Sequence, residues 1–507
     1  LAKQARRGVI YTVAPSYKDV NVIWAGTDDG LIHVTRDGGK SWQNVTPPGV
    51  TSWSKISVMD AGRHDAMTAY AAVNCIRLDD QKPHLYRTHD GGKTWKKIVN
   101  GLPNDPVNAV REDPVRKGLL YCGTERAVYV SFNDGDDWHP LRLNMPATSI
   151  RDLVVHQDDV VVGTHGRSFW ILDDITPLRQ LDAKVATTDA VLFKPQVATR
   201  VRWNVNTDTP LPPEEPGGQN PPDGAIINYY LAGDAKGPLT LEIIDAMGRL
   251  VRRYSSDDKP EKVDANSLSI PTYWIRPPQI LSAKAGSHRF LWDLHFAPNP
   301  GPRSYPMTAI YKDTASGPVG PWVHPGNYTV KLTIAGKSFE QPLTIKMDPR
   351  VKTPAGDLQK QHDLSMQCYD GMAQVRETLE QIRKLRKELA DRQVKAGKGP
   401  LADAIAALDA KAAALDAPGG GGKGMKGGKG PMGGGDKSLA QLSGEMNTLM
   451  NLLQGSDMTP TATAVTACAD VQKGLAAIMG RWNELRGQDL KVLNEQLQNA
   501  KLAPIGQ

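Results

Sequence analysis

Ten side chains fall in loops between short β-rich runs, where chemistry has room to sit. Asp28, Asp29, Asp79, Asp80 and Glu125 supply carboxylates, Arg77, Arg126 and Arg167 supply cations, and His165 and Trp53 add an imidazole and an indole. Carboxylates and arginines beside an indole suit a sugar or a peptide, because charged groups fix the polar substituents while the indole face stacks on a ring. Cleaving a glycan asks for more: two carboxyls about 5 Å apart for retention, or about 6.5–9.5 Å apart for inversion. The five acids are the candidates for such a pair. Turn formation alone also accounts for all five, since an Asp at a hairpin end hydrogen-bonds its own backbone.

A repeat places these loops on one face. Thr35-Arg-Asp-Gly-Gly-Lys-Ser-Trp42, Thr88-His-Asp-Gly-Gly-Lys-Thr-Trp95 and Ser131-Phe-Asn-Asp-Gly-Asp-Asp-Trp138 each read Ser/Thr-x-Asp/Asn-x-Gly-x-x-Trp. Asp37, Asp90 or Asn133 caps backbone N–H groups of a tight turn, and Gly39, Gly92 and Gly135 supply positive φ. Trp42, Trp95 and Trp138 are expected to pack back under the next strand. A turn recurring at roughly 40–55-residue intervals between short strands marks a radial array of four-stranded blades. Strands are expected near 8–14, 21–27, 31–35 and 41–46, then 55–59, 68–74, 84–88 and 94–99, then 107–112, 119–124, 127–132 and 138–143. A fourth unit begins at Ile150 and runs through Ser168-Phe-Trp-Ile-Leu172, where the motif is lost. Residues 1–175 should therefore form four consecutive four-stranded blades with the three repeated turns on one rim. The loops carrying the ten side chains lie on the opposite rim, and Asp28, Trp53, Arg77, Glu125 and Arg167 are expected to share a concavity with Trp53 as its stacking platform. The stretch Gly163–Asp173 has two readings: His165 and Arg167 as an anion contact, or Phe169 and Trp170 as the filling of a closure seam.

The repeated motif resembles the Asp box of the BNR-repeat β-propellers, found in sialidases, sortilin-type receptors and xyloglucanase-like proteins. Asn133 and Asp137 depart from the usual spelling. In those families the box holds blades together and is not catalytic, so the resemblance implies a propeller and leaves activity open. A sialidase needs three arginines on one carboxylate and a tyrosine activated by a glutamate, and no Tyr/Glu pair is expected on the loop face.

Beyond Asp173-Asp174 the repeat stops. Residues 181–224 read as a strand and a Pro-rich linker, with Pro210-Leu-Pro-Pro213 and Pro221-Pro222. Alternating strands resume over 225–350, at Ala225–Leu231, Leu239–Ile244, His288–Leu294 and Gly326–Ile334, and imply an immunoglobulin-like β-sandwich of about seven antiparallel strands. From 353 to 507 the apolar residues recur at helical spacing (Leu358, Leu364, Cys368, Met372, Val375, Leu379, Ile382, Leu389), which implies an antiparallel helical bundle interrupted by a Gly/Lys-rich loop at 418–436. The fold class is thus mainly β with an α C-terminal part.

The 507 residues, 40% of them hydrophobic and 23% charged, are ordinary for globular material. The net charge of +6 gathers partly in Lys423, Lys426, Lys429 and Lys437 and not in an aromatic-studded surface, which argues against a nucleic-acid partner. No apolar run approaches the roughly 18–20 residues of a membrane span. Four cysteines lack metal-site spacing, so no metal or other cofactor is expected; Cys368 and Cys468 fall in helical stretches, either as a bridge or as buried thiols. The whole chain resembles the C-terminal half of bacterial BNR-repeat, sortilin-type proteins commonly labelled glycosyl hydrolase. The residues carrying this are Val22–Gly39, Arg111-Glu-Asp-Pro114, Val162–Asp174 and Pro222–Ile227. That resemblance implies an exported, periplasmic or extracellular protein with further N-terminal propeller blades. Two functions follow from it: a non-catalytic scaffold that binds a glycan or a peptide, or a polysaccharide hydrolase whose site is shared with those blades.

Overall fold

The computed structural model describes residues 8–202, 218, 221–260, 262–301, 303–305, 314, 317–416 and 437–506. The Pro210–Pro213 stretch and the loop at 418–436 lie outside them. The chain divides into two compact units, Leu1–Gln196 and Val197–Gln507.

The first unit is an arc of β-propeller blades. Blade 1 is β1 (Ile10–Pro15), β2 (Ile23–Thr27), β3 (Ile32–Thr35) and β4 (Gln43–Asn44). Blade 2 is β5 (Lys55–Ala61), β6 (Ala69–Asn74), β7 (His84–Thr88) and β8 (Lys96–Lys97), and blade 3 is β9 (Val107–Glu112), β10 (Leu120–Thr124), β11 (Val128–Ser131) and β12 (His139–Pro140). Each is an antiparallel meander in sequence order. Blade 4 corrects the expectation of four strands: it has three, β13 (Ile150–His156), β14 (Asp159–Thr164) and β15 (Phe169–Leu172). After Leu172 the chain turns at Asp174, whose carboxylate accepts from the N–H and hydroxyl of Thr176 two residues on, and runs into α1 (Thr176–Gln180) instead of an outer strand. A short strand, β16 (Ala190–Leu192), completes the unit. The innermost strands β1, β5, β9 and β13 neighbour one another in succession.

Alternation in the strands gives each blade two apolar faces, and successive blades bury them against each other. Trp24, Ile32 and Val34 meet Ile56, Met59 and Val73 between blades 1 and 2. Tyr70, Leu85 and Ile98 meet Val110, Leu120 and Trp138 between blades 2 and 3, and Tyr121 and Val130 meet Leu153 and Val162 between blades 3 and 4. Burying a side chain of this size stabilises by about 1.5–3 kcal/mol, so the seams hold the arc. Phe169, 77% exposed, fills no seam, whereas Trp170 packs against the blade 3–4 core.

The repeated turns close as their chemistry requires. Asp37 accepts from Thr35 Oγ1 (2.8 Å), the Ser41 N–H (2.9 Å) and Ser41 Oγ (2.6 Å), and Asp90 accepts the same three bonds from Thr88 and Thr94. Hydrogen bonds from Ser41 and from Thr94, foremost, hold the two carboxyls down at about 2. In the third turn the roles reverse. Asn133 Nδ2 donates to the Asp137 carboxylate (2.8 Å) while Asn133 Oδ1 accepts from the Asp137 N–H (2.9 Å), so the two departures from the motif compensate each other. The tryptophans correct the expectation. Trp95 and Trp138 reach back to the preceding blade, and Trp42 is 45% exposed.

In the second unit, β17 (Ala198–Arg200), β19 (Leu239–Asp245), β20 (Leu250–Ser255), β22 (Gly326–Ile334) and β23 (Lys337–Met347) form one sheet in the order β17-β23-β22-β19-β20. Its β17–β23 edge is parallel, β17 lying in the stretch read as strand and linker, and the other pairs are antiparallel. The strands β18 (Ala225–Leu231) and β21 (Gly286–Trp292) pair antiparallel in another sheet. The helical part comprises α2 (Ala355–Ala396), α3 (Pro400–Asp416), α4 (Leu439–Gln454), α5 (Ala462–Glu484) and α6 (Leu490–Asn499), with a π-helical turn at Leu485–Asp489, all packed on one apolar core. Cys368 and Cys468 adjoin each other there as free thiols, and burial pushes Cys368 up to about 12. Among the described residues no helix is long and apolar enough to cross a membrane.

Candidate functional site

The rim opposite the repeated turns holds a cavity of about 240 Å³, lined by Lys55, Asn74, Ile76, Arg77, Glu125 and Arg151. Lys55 opens β5, Asn74 ends β6, Ile76 and Arg77 stand on a single 3-10 turn (Ile76–Leu78), Glu125 follows β10 and Arg151 belongs to β13. Blades 2, 3 and 4 therefore each contribute. Blade 1 adds Tyr11, whose ring lies 3.7 Å beneath the Lys55 ammonium.

Glu125 is the fixed point of this site. Asn74 Nδ2 donates to Asn108 Oδ1 (2.7 Å), and Asn108 Nδ2 donates in turn to Glu125 Oε1 (2.9 Å) and to the Ile150 carbonyl (3.0 Å). Arg151 Nη1 stands 3.2 Å from the same carboxylate oxygen. Burial is the largest single influence on Glu125 and pushes its pKa up. Ser149 and Asn108, with the charges of Arg151 and His165, together outweigh it and leave the carboxyl below the ordinary Glu range. The buried Ser149 hydroxyl lies outside strict hydrogen-bond geometry, so Asn108 is the firmer of the two donors. An ionised carboxylate thus faces three cations and an amide, a set that orients a ligand bearing both donors and acceptors.

Of the sequence candidates, Arg77 and Glu125 come together in the cavity. Asp28 lies next to it, 3.7 Å from Arg77, and also accepts from the Val9 N–H (2.9 Å). Asp29 accepts from Thr27 Oγ1 (2.5 Å) and Asp80 from His84 (2.8 Å) and the Lys82 N–H (2.9 Å), while Asp79 ends the 3-10 turn at φ +58°. These three do the work of turn formers. Arg126 extends into solvent, 3.7 Å from Asp105. His165 and Arg167 are exposed, although His165 acts on Glu125 through its charge. Trp53 and Arg167 do not line the cavity, contrary to the shared concavity expected of them. Trp53 is partly buried with φ +69°, and its N–H donates to the Asp29 carbonyl (2.7 Å), so the inter-blade link is used in closing the chain.

Sequence reasoning missed Lys55, Asn74, Arg151 and the buried Asn108. Their one signal is position: asparagines inside otherwise apolar inner-strand runs need partners. It also missed Asp60 and Glu112, at 3% and 2% exposure. Burial pushes Asp60 up to about 6 and raises Glu112 too, but backbone N–H groups of Glu112 and Arg63 occupy them (2.8 and 2.6 Å), a structural role. Among the cavity's described lining residues Glu125 supplies the one carboxylate, and the Asp28 carboxylate stands beside it on the far side of Arg77. A larger cavity of about 500 Å³ in the second unit, bordered by Tyr369, Arg376 and Met450, gathers none of the loop candidates.

No family model matches the chain. Over 104 residues it is 30% identical to the oligoxyloglucan-reducing end-specific xyloglucanase of Emericella nidulans, a stretch covering 20% of this chain and 13% of that enzyme. Among solved structures, YCF48 bound to D1 peptide is similar over 33% of this chain and 52% of that one, at 18% identity and a TM-score of 0.27. The GH74 enzyme of Niastella koreensis is similar over 31% and 26%, at 14% identity and a TM-score of 0.26. The GH74 xyloglucanase of Xanthomonas campestris is similar over 32% and 29%, at 14% identity and a TM-score of 0.27. The chain spans about half the length of the first of these structures and 13% of the curated relative.

Proposed function

We propose that this chain is the binding part of a β-propeller protein of the BNR-repeat, sortilin-type group, a non-catalytic scaffold that holds a glycan or a peptide. The observation that carries it is Glu125, locked in place by Asn108 and facing Lys55, Arg77 and Arg151 across an open cavity with no second lining carboxylate. Such a site fixes a ligand without supplying an acid–base pair. The strands of the second unit would serve as an immunoglobulin-like sandwich and its helices as an antiparallel bundle, both as spacers or docking surfaces. Export to the periplasm or cell surface fits this role.

The local 30% identity to a xyloglucanase favours a second reading, a glycan hydrolase that draws its second carboxylate from further blades. Arrays of glycans and peptides probed with the wild-type chain, Arg77→Ala and Glu125→Gln separate the two. Binding that weakens in both variants, with no bond cleaved, is the expected result. Equal binding by all three proteins removes this cavity from consideration. Release of sugar fragments by the wild type, abolished in Glu125→Gln, establishes the hydrolase instead.

A further inference from the structure

The cavity of about 500 Å³ in the second unit lies at the seam between its strands and its helices and has the size of a small-molecule site. One wall is the chain at 299–301 and 318–319, where Val319 is 48% exposed, and the other is formed by α2 and α4. Helical spacing puts Met372, Val375 and Leu379 on one face of α2, and Met450 of α4 joins them, so the floor is apolar. Its edge is charged. Arg376, Glu380 and Arg383 follow one another four and three residues apart and share one side of α2. Arg376 is partly buried and leans toward the opposite wall, its Nη1 3.4 Å from Asn299 Oδ1. Among the described residues the side chains of Glu380, Arg383 and Asn447 engage no protein group. Two guanidiniums against one carboxylate leave the edge one positive charge in excess. Gly444 opens the α4 wall. Glycine inside a helix is less stable than alanine, so its place there needs a reason. Packing supplies one for Gly371 and Gly474, where a Cβ would stand 2.5 Å from Met446 Sδ and 3.1 Å from Leu442 Cδ2. It supplies none for Gly444, where a Cβ would meet nothing within 4 Å and the missing side chain widens the cavity.

We propose that this cavity binds a small amphipathic monoanion, an apolar body ending in one carboxylate. The apolar body lies on Met372, Val375 and Met450, whose thioether side chains adapt to its shape. The carboxylate meets Arg376, whose planar guanidinium grips such a group through two parallel bonds. Glu380 stands one turn from both arginines and balances one of them. A dianion would exceed the charge that remains, and a cation would face it. The site belongs to the second unit alone, and it does not depend on the reading of the Glu125 cavity.

Methyl NMR on the full chain labelled at methionine, with signals assigned from single Met→Leu variants, tests this with two probes of the same tail and opposite charge. These are decanoate and decyltrimethylammonium, each kept below its micelle concentration. Decanoate should move the Met372 and Met450 signals saturably and leave the exposed Met247 and Met458 in place. The cationic probe should bind about tenfold more weakly or worse, and Arg376→Gln should weaken decanoate by a similar factor. Gly444→Leu should fill the cavity and abolish binding while the midpoint of thermal unfolding holds or rises, because leucine is the better helix former. That variant separates loss of the site from loss of the fold. Equal binding of the two probes, shifts at Met247 and Met458 as large as those at Met372, no saturable shift with decanoate, or undiminished binding by Gly444→Leu overturns the proposal.

Discussion

Replacing Asn108 by leucine tests whether the buried amide network, and not the exposed cations, fixes the candidate site. Asn108 is 4% exposed and makes three bonds through one amide, two donated and one accepted. Leucine has nearly the same shape and none of the polarity. The two neutral bonds are each worth about 0.5–1.5 kcal/mol net, and the one to an ionised carboxylate about 1.5–3 kcal/mol. Burial of the leucine side chain returns about 1.5–3 kcal/mol. The variant should therefore lose about 1–3 kcal/mol in the first unit, because Asn74 Nδ2 and the Ile150 carbonyl are left stranded. It should also raise the Glu125 pKa, by removing a donor that favours the charged form. Hydrogen exchange of peptides from β9 and β10 reads the first effect within one unit. Titration of labelled glutamate carboxyls, assigned with Glu125→Gln, reads the second. Because the folded pKa of Glu125 is depressed, its stabilisation is present above the unfolded Glu range and lost as pH falls through the folded value. The variant should accordingly lose less stability on acidification than the wild type. Unchanged exchange together with an unmoved Glu125 midpoint would refute the network as the positioning element.

In the second unit, burial pushes His295, His324 and His362 below the ordinary His value of 6.5, and all three gather near Trp322. They are neutral when folded and take protons more readily unfolded, so stability should be full above about pH 6.5 and fall as pH drops toward their folded values; a midpoint that stays flat from pH 7.5 to 5 would contradict this. The Asp90 carboxyl should titrate at about 2, with the turn and its Thr94 amide protection intact until pH falls through that value; loss of protection near the ordinary Asp range would show that the Thr94 bonds do not hold it.

The repeat was legible in the sequence because its chemistry is local. An Asp two residues after a Thr and four before a Ser or Thr closes a turn through bonds that span no more than four residues, so Asp37 and Asp90 report their own geometry. Blade order followed, since a meander joins neighbouring strands. The helical spacing from Leu358 to Leu389 likewise encodes its own buried face. Tertiary structure decided what depends on residues distant along the chain. Asn108 finds Asn74 and Ile150 only when three blades stack, and Arg151 meets Glu125 across 26 positions. Trp53 looks like a platform in sequence, yet the link between blades 1 and 2 holds it at positive φ outside the cavity. The three tryptophans share one motif and differ in burial, Trp95 and Trp138 being those whose indole N–H reaches a carbonyl on the preceding blade. A local motif specifies the turn, and the neighbouring blade determines whether its indole is covered.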